Sequence, residues 1–374
     1  MHQVSGIFWT GQEFRRGTVS FAAGRVQDIS GDPEEETLAH GLILPTFFNA
    51  HTHSGDAFIK EEIEGSLEEV VGPPLGLKHR RLAAAKDEEV VHGMRGYFER
   101  MWSSGTSHFV DFREGGVKGV SLLYEAGIGL PLDPIVLGRP TTQTYDPKEV
   151  EGLLHSCDGI GVSSFQDWEP SELEKLAKHC RDQGAFFGLH ASERIRENVD
   201  PILDLKPRFL VHMTCATKED LLRCKEEGVA IAVCPRSNAF FGKLPDLPMM
   251  ASSGADLLLG TDNAMVNSPS LFKEMEFAHK VARLHGPFRS DQVFAMVQAT
   301  RRFFRPKEPA GLQIGGPADL IVLRAEGSGS IFKQVVNASD ADIQLVSLGG
   351  RVWLRKSEAW TELPAGSRDS PSKT

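Results

Sequence analysis

"LILPTFFNAHTHSGDAF", residues 42–58, decides how this chain is read. An apolar run ends in His51-Thr52-His53, with Gly55 and Asp56 directly behind. On a strand, residues i and i+2 point to the same face, so the two imidazoles look the same way and can reach one ion. A lone histidine at a strand end is more often a hydrogen-bonded structural residue. The pair is what points to a metal.

Outward from this stretch, apolar runs alternate with amphipathic helices. Eight runs bounded by helices or turns read as strands: residues 42–53, 107–114, 131–139, 159–165, 185–193, 208–214, 229–238 and 255–263. Between them, "DEEVVHGMRGYFERMWSSG" places Val90, Val91, Met94, Phe98, Met101 and Trp102 on one helical face behind Asp87 as N-cap. "PSELEKLAKHCRDQG" opens with Ser171 and Glu174 as a capping box and stops at Gly184. "TKEDLLRCKEEG" repeats the pattern with Thr217, Asp220 and Gly228. Eight strand-then-helix units in this span have the rhythm of an α/β fold, a (β/α)8 TIM barrel.

Both ends of the chain read differently. The first 40 residues, and those after about 310 ("GLQIGGPADLIVLRA", "DIQLVSLGGRVWLRK"), are short turn-punctuated strands. The expected organisation is a small β-sandwich built from residues 1–43 and 310–365, a metal-dependent barrel over 44–309, and a disordered tail at 366–374. The charged stretch "IKEEIEGSLEEVVGPPLGLKHRR", residues 59–81, reads as a loop or lid over the site.

Composition narrows the chemistry. The chain has 374 residues, 40% of them hydrophobic, ample for a large core. Its net charge of -10, from 51 Asp and Glu against 41 Lys and Arg, repels polyphosphate backbones and anionic membranes. Nucleic acid and membranes are therefore excluded as partners, a small heterocyclic molecule is not, and a homo-oligomer is left open. No apolar run approaches the ~20 residues of a membrane helix, and the N-terminus lacks the pattern of a signal peptide. Five cysteines without a CxxC pair disfavour both a thiolate zinc knuckle and a disulfide framework. A cytoplasmic protein is expected. Phosphate-loop, dinucleotide, nucleophile-elbow and HExxH motifs are all absent, which leaves the histidines and carboxylates.

Polar residues end several of the apolar runs: His190 and Glu193 in "FFGLHASE", His212 in "FLVHMT", Asp262 in "LLLGTDN". In a barrel the C-terminal strand ends converge on one mouth, so residues far apart in sequence face one cavity. Arg113, Arg139, Arg236 and Asn238 also sit at strand ends and are candidate substrate contacts. Each is equally at home in a structural ion pair or hydrogen bond. Trp168, Phe240 and Phe241 could stack on a ring, with buried packing the better expectation.

The ordered set "FFNAHTHSGD", "HASE", "VHMT", "CPRSN", "GTDN" and "GGPADLIVL" resembles the amidohydrolase superfamily over nearly the whole chain. The similarity is to the mononuclear branch that holds S-adenosylhomocysteine-type adenosine deaminases, guanine deaminase, cytosine deaminase and the triazine chlorohydrolases. The resemblance implies that His51, His53, His190 and Asp262 hold one divalent ion, Zn(II) or else Fe(II), with water or hydroxide at the open position. It further implies Glu193 as proton shuttle, His212 as a hydrogen-bond partner of the attacking hydroxide, and Asp262 as acceptor of its proton. The donor set suits such an ion on chemical grounds as well.

Binuclear members of the superfamily carry a lysine on the fourth strand. "GIGVSSFQDW" has none. The implied function is thus an aminohydrolase, a deaminase of an amino-substituted purine, pterin or pyrimidine derivative. The alternative is hydrolysis of another C–N amide bond or of a halogenated heterocycle. A third reading, a non-catalytic relative that has lost its ligands, is disfavoured because every ligand is present. "SGDAFIKEE", with Asp56, Lys60, Glu61 and Glu62, departs from the apolar, methionine-rich text of purine deaminases and argues against an adenosine-type substrate.

Overall fold

The structure is a computed structural model that describes residues 1–374 except 33, 35, 326–328, 358 and 365–374. The expected tail at 366–374 lies outside the described residues. One parallel sheet carries the site. Its strands run in the order 257–259, 230–233, 209–212, 186–191, 159–164, 133–138, 106–113, 47–53 and 262–263. The first and last positions in that order belong to one stretch of chain, interrupted at Gly260 and Thr261. Asp262 pairs with Thr52 and Asn263 with His53, so the sheet curls round and meets itself, as in a TIM-like barrel.

Side chains from alternate positions fill the ring. Phe48, Ala50, Val110, Phe112, Ile135, Leu137, Phe209, Val211, Ala232 and Leu258 form one buried cluster inside it. Helices cover the outside, among them Asp87–Ser103, Gly116–Gly127, Pro170–Asp182 and Leu271–Ala282. Asp87–Ser103 buries Val90, Met94, Tyr97, Phe98 and Met101, with Val91 and Trp102 at the margin and Lys86, not Asp87, at the cap position. The capping box at Thr217 and Asp220 forms. The one expected at Ser171 does not: Pro170 occupies the first helical position and starts the helix behind Glu169, which places Ser171 inside the helix.

The two ends of the chain meet in one eight-stranded sheet. Its order is 359–362, 351–356, 343–348, 320–323, 40–45, 2–9, 14–22 and 25–30, antiparallel except where 2–9 runs parallel to 40–45. Both faces are apolar. Ile43, Leu320 and Val322 join Val4, Val19 and Phe21 in one cluster, while Leu42, Leu44, Ile321 and Leu323 belong to the large core shared with the barrel helices. The run read as a single strand over 42–53 divides: His40–Pro45 lies in the terminal sheet and Phe47–His53 in the barrel. Thr46 is the joint.

Candidate functional site

The two histidines do not reach the cavity by simple alternation. Phe48 and Ala50 already point inward, and regular continuation would turn residues 51 and 53 outward. The register shifts between Asn49 and Thr52: Asn49 pairs with Phe109 and Thr52 with Asp111, three residues on one strand against two on its neighbour. This bulge reverses the parity and re-aims both imidazoles inward. Thr52 fastens it, donating its hydroxyl to Val110 O and Asp111 Oδ2, while Asp111 Oδ2 also accepts from Ser54 N at 2.7 Å.

His51, His53, His190 and Asp262 each present one ligand atom, all within 4.8 Å of one another and buried. His53 Nδ1 faces Phe112 O at 3.1 Å and Glu114 Oε1 at 2.9 Å; His190 Nδ1 faces Val162 O at 2.9 Å. Those oxygens only accept, so each Nδ1 carries the hydrogen and each Nε2 is a bare lone pair. The two Nε2 atoms are 3.2 Å apart. Burial, the largest cause in both rings, opposes protonation: it lowers His53 to about 3 and His190 well below the usual imidazole range. Two facing lone pairs whose protonation is opposed by burial repel one another, and a cation between them would relieve this. Two ligands of a tetrahedral Zn(II) at ~2.0–2.1 Å would lie about 3.3 Å apart.

The other two residues fit the same reading. Neither nitrogen of His51 has a hydrogen-bond partner although the ring is fully buried. Asp262 Oδ1 is likewise unpartnered and lies 3.2 Å from His51 Nε2 and 3.6 Å from His53 Nε2, while Oδ2 accepts the Ser237 hydroxyl at 2.5 Å. Buried polar atoms without partners that converge on one point suit a shared ion. Together they form a cradle for a divalent metal.

Glu193 and His212 stand beside this cradle. Asn238 Nδ2 lies 3.1 Å from His212 Nδ1, which must then accept, so His212 Nε2 carries hydrogen and points at Glu193 Oε1, 3.2 Å away. Burial raises the Glu193 carboxyl to about 7, with His212 opposing the shift. Both His212 and Asp262 adopt left-handed backbone angles, with φ of 73° and 62°. Such strain in non-glycine residues collects where a side chain must be aimed.

The cavity here holds about 290 Å³ and is lined by His53, Lys78, Arg139, His190, Glu193 and Asp262 among others. Residues 67–73 and Lys78, from the stretch read as a lid, form one wall, and Arg194 reaches across to Glu68 at 2.5 Å. Of the four candidate substrate contacts, Arg139 lines the cavity. Arg113 is buried beneath Gly55, its Nε donating to Gly119 O. Arg236 is committed to Glu274 and Ser268 O, and Asn238 stands behind His212. Asp56 is buried and accepts from Asn263 and Met265; Glu61 pairs with Arg81. Trp168 is packed in the core, and Phe240 is half exposed beside Phe241.

Sequence reasoning missed Glu114 and Lys78. Lys78 Nζ donates to Glu114 Oε1 at 2.7 Å, the same oxygen that faces His53. The strand-end rule that singled out Arg113 covers Glu114 as its neighbour. Lys78 carried no signal, being one charge in a charged stretch.

Comparison with known proteins shows the family of the chain. Residues 42–352 match the model of the amidohydrolase family. A protein of Methanothermobacter thermautotrophicus named as an aminohydrolase is 32% identical over 321 residues, covering 80% of this chain and 83% of its own. A 5-methylthioadenosine/S-adenosylhomocysteine deaminase of Pyrococcus abyssi is 21% identical over 95% of this chain and 94% of its own. The crystal structure of an adenosine deaminase from Xanthomonas campestris with bound zinc superposes with a TM-score of 0.79 at 14% identity, over 95% of this chain and 93% of that one.

Proposed function

The chain belongs to the amidohydrolase family, as a hydrolase of carbon–nitrogen bonds, and from that premise we propose that it removes ammonia from a small amino-substituted heterocycle of the purine, pterin or pyrimidine type. In this reading His51, His53, His190 and Asp262 hold one divalent ion, Zn(II) in the first instance. The observation that carries it is the Glu193–His212 pair, 3.2 Å apart, standing directly beside the four-ligand cradle.

The ion, when bound, supplies a Lewis acid that makes water acidic enough to react near neutral pH. The protein's own groups do the rest. His212 Nε2–H holds the attacking oxygen in line, and Asp262 takes its first proton. Glu193, raised to about 7, is protonated in a useful fraction at neutral pH. It gives its proton to the ring nitrogen beside the reacting carbon. It then carries the remaining water proton to the departing amine, and the proton held by Asp262 returns to Glu193, so that water enters, ammonia leaves and both carboxyls regain their starting states. A cavity of about 290 Å³ lies at the small end of ligand pockets, which favours a base-sized ring over a nucleoside with a long substituent.

The same reading takes residues 1–43 with 310–365 as a β-sandwich and 44–309 as the catalytic barrel, working in the cytoplasm. No helix among the described residues is long and apolar enough to cross a membrane. The test is ammonia release across amino-purines, amino-pterins and amino-pyrimidines, with metal measured on the same sample. Ammonia at about one ion per chain supports the proposal, and zinc against iron is read from the same analysis. A metal-replete enzyme that releases no ammonia yet cleaves an amide or halogenated ring would replace it with the alternative hydrolysis.

A further inference from the structure

The cavity wall facing His53 carries two cations that share a single ion-paired carboxylate and keep donors open. Lys78 and Arg139 both line the cavity and are 2% and 8% exposed. They share one carboxylate: Glu114 Oε1 lies 2.7 Å from Lys78 Nζ and 3.6 Å from Arg139 Nη1. A third cation, Arg113, approaches Glu114 Oε2 at 3.6 Å, with Asp111 offsetting it on the far side. Glu114 can balance one of the two charges that face the cavity.

The donors tell the same story. Lys78 uses one of its three N–H bonds, toward Glu114. Arg139 donates through Nε to Gly161 O at 3.4 Å, and its terminal nitrogens make no hydrogen bond among the described residues. Of the other carboxylates that line the cavity, Glu193 faces His212, and Asp262 faces His51 and Ser237; the rest are engaged with other groups of the protein. Glu68 pairs with Arg194, Glu197 accepts from Ser164 Oγ and Ser192 N, and Asp167 accepts from Ser164 N. A buried guanidinium with open donors is costly unless an anion arrives with the substrate.

We propose that Arg139 and Lys78 form a subsite for an oxyanion, so that the substrate is an amino-heterocycle bearing a carboxylate or phosphate group. Resting on the deaminase reading, this names its substrate class. The planar fork of Arg139 suits two oxygens of the same group, and Lys78 adds a point charge beside it. The subsite adjoins His53 through Glu114, so the acidic arm and the reacting carbon are held within one small cavity.

The test compares an aminopurine or aminopterin ring carrying a carboxymethyl or phosphonomethyl arm with the same ring carrying an ethyl arm. Binding to the metal-loaded full chain is measured by calorimetry and turnover by ammonia release. The acidic member should bind roughly ten- to a hundredfold tighter, the range of hydrogen bonds to a charged group. Whichever arm is preferred identifies the oxyanion. Arg139→Gln should bring the ratio of acidic to ethyl affinities close to one, with Arg139→Lys retaining part of it. If no acidic member binds better than its ethyl counterpart, or if the ratio survives in R139Q, the inference falls. Acid preference without ammonia from any ring would sink the deaminase reading and leave the subsite standing; ammonia without acid preference would do the reverse.

Discussion

The Nε2 atoms of His53 and His190 face one another at 3.2 Å, each on a ring whose hydrogen is held on the far side by an acceptor oxygen. Without an ion this contact is repulsive. His190→Asn should therefore lower metal affinity roughly a hundredfold or more, about one ligand's share of a structural site, while costing the metal-free protein little or even stabilising it. Metal analysis after dialysis, and urea melts with and without chelator, check both halves. A large loss of stability in the chelated variant would mean that the contact is not strained.

In the proposed reading Glu193 moves protons without holding the ion. Glu193→Gln should reduce turnover by about 10²–10⁴-fold and leave metal content at the wild-type level. Loss of metal together with activity would give Glu193 a ligand's role instead.

The same carboxyl makes stability depend on pH. Its folded value of about 7 lies above the ordinary 4.5, so between these values the folded state holds the extra proton. Its contribution is complete at low pH and declines as pH rises through that window, by up to about 3 kcal/mol. The amide introduced by Glu193→Gln does not titrate. Metal-free E193Q should therefore gain stability relative to metal-free wild type between pH 5 and 8, approximate bounds of that window, as followed by chemical denaturation. A difference that stays constant across the range would put the carboxyl back at its ordinary value.

Arg236 donates its backbone N–H and Nε to Glu274, which is fully buried. Arg236→Gln should destabilise the fold by about 3–5 kcal/mol, the usual consequence of leaving a buried charge unpaired. KM of the folded fraction should stay near wild type. A large KM change with little loss of stability would return Arg236 to the substrate.

Gly260 lies against the strand of the paired histidines: a Cβ there would sit 2.8 Å from both the Cβ and the N of His51. Gly260→Ala should cost about 1–3 kcal/mol as overpacking and weaken metal binding by displacing His51. Thermal melts and metal titration read the two effects separately.

The histidines, Glu193 and Asp262 were legible because each interrupts an apolar run, and a strand that must bury both faces tolerates a polar residue only for a reason. Other features had no such trace. The bulge between Asn49 and Thr52 is a matter of pairing with a neighbour, and no residue type announces it. The left-handed turns at His212 and Asp262 fall on residue types that adopt them more readily than most, but neither type requires them, so nothing in the sequence marks them. Lys78 is hidden for the opposite reason. Its neighbours are solvated charges, and only packing against Glu114 distinguishes it from them.

The pairing of Asp262 and Asn263 with Thr52 and His53 is the seam at which the ring of strands closes. Two of the proposed ligand residues, His51 and His53, stand on one side of that seam and a third, Asp262, on the other. A bound ion is therefore a clasp between stretches of chain that the unfolded polymer keeps far apart, and it removes loop-closure entropy as a long-range cross-link does. On that reading, opening the seam would separate the proposed ligands as it opens the barrel.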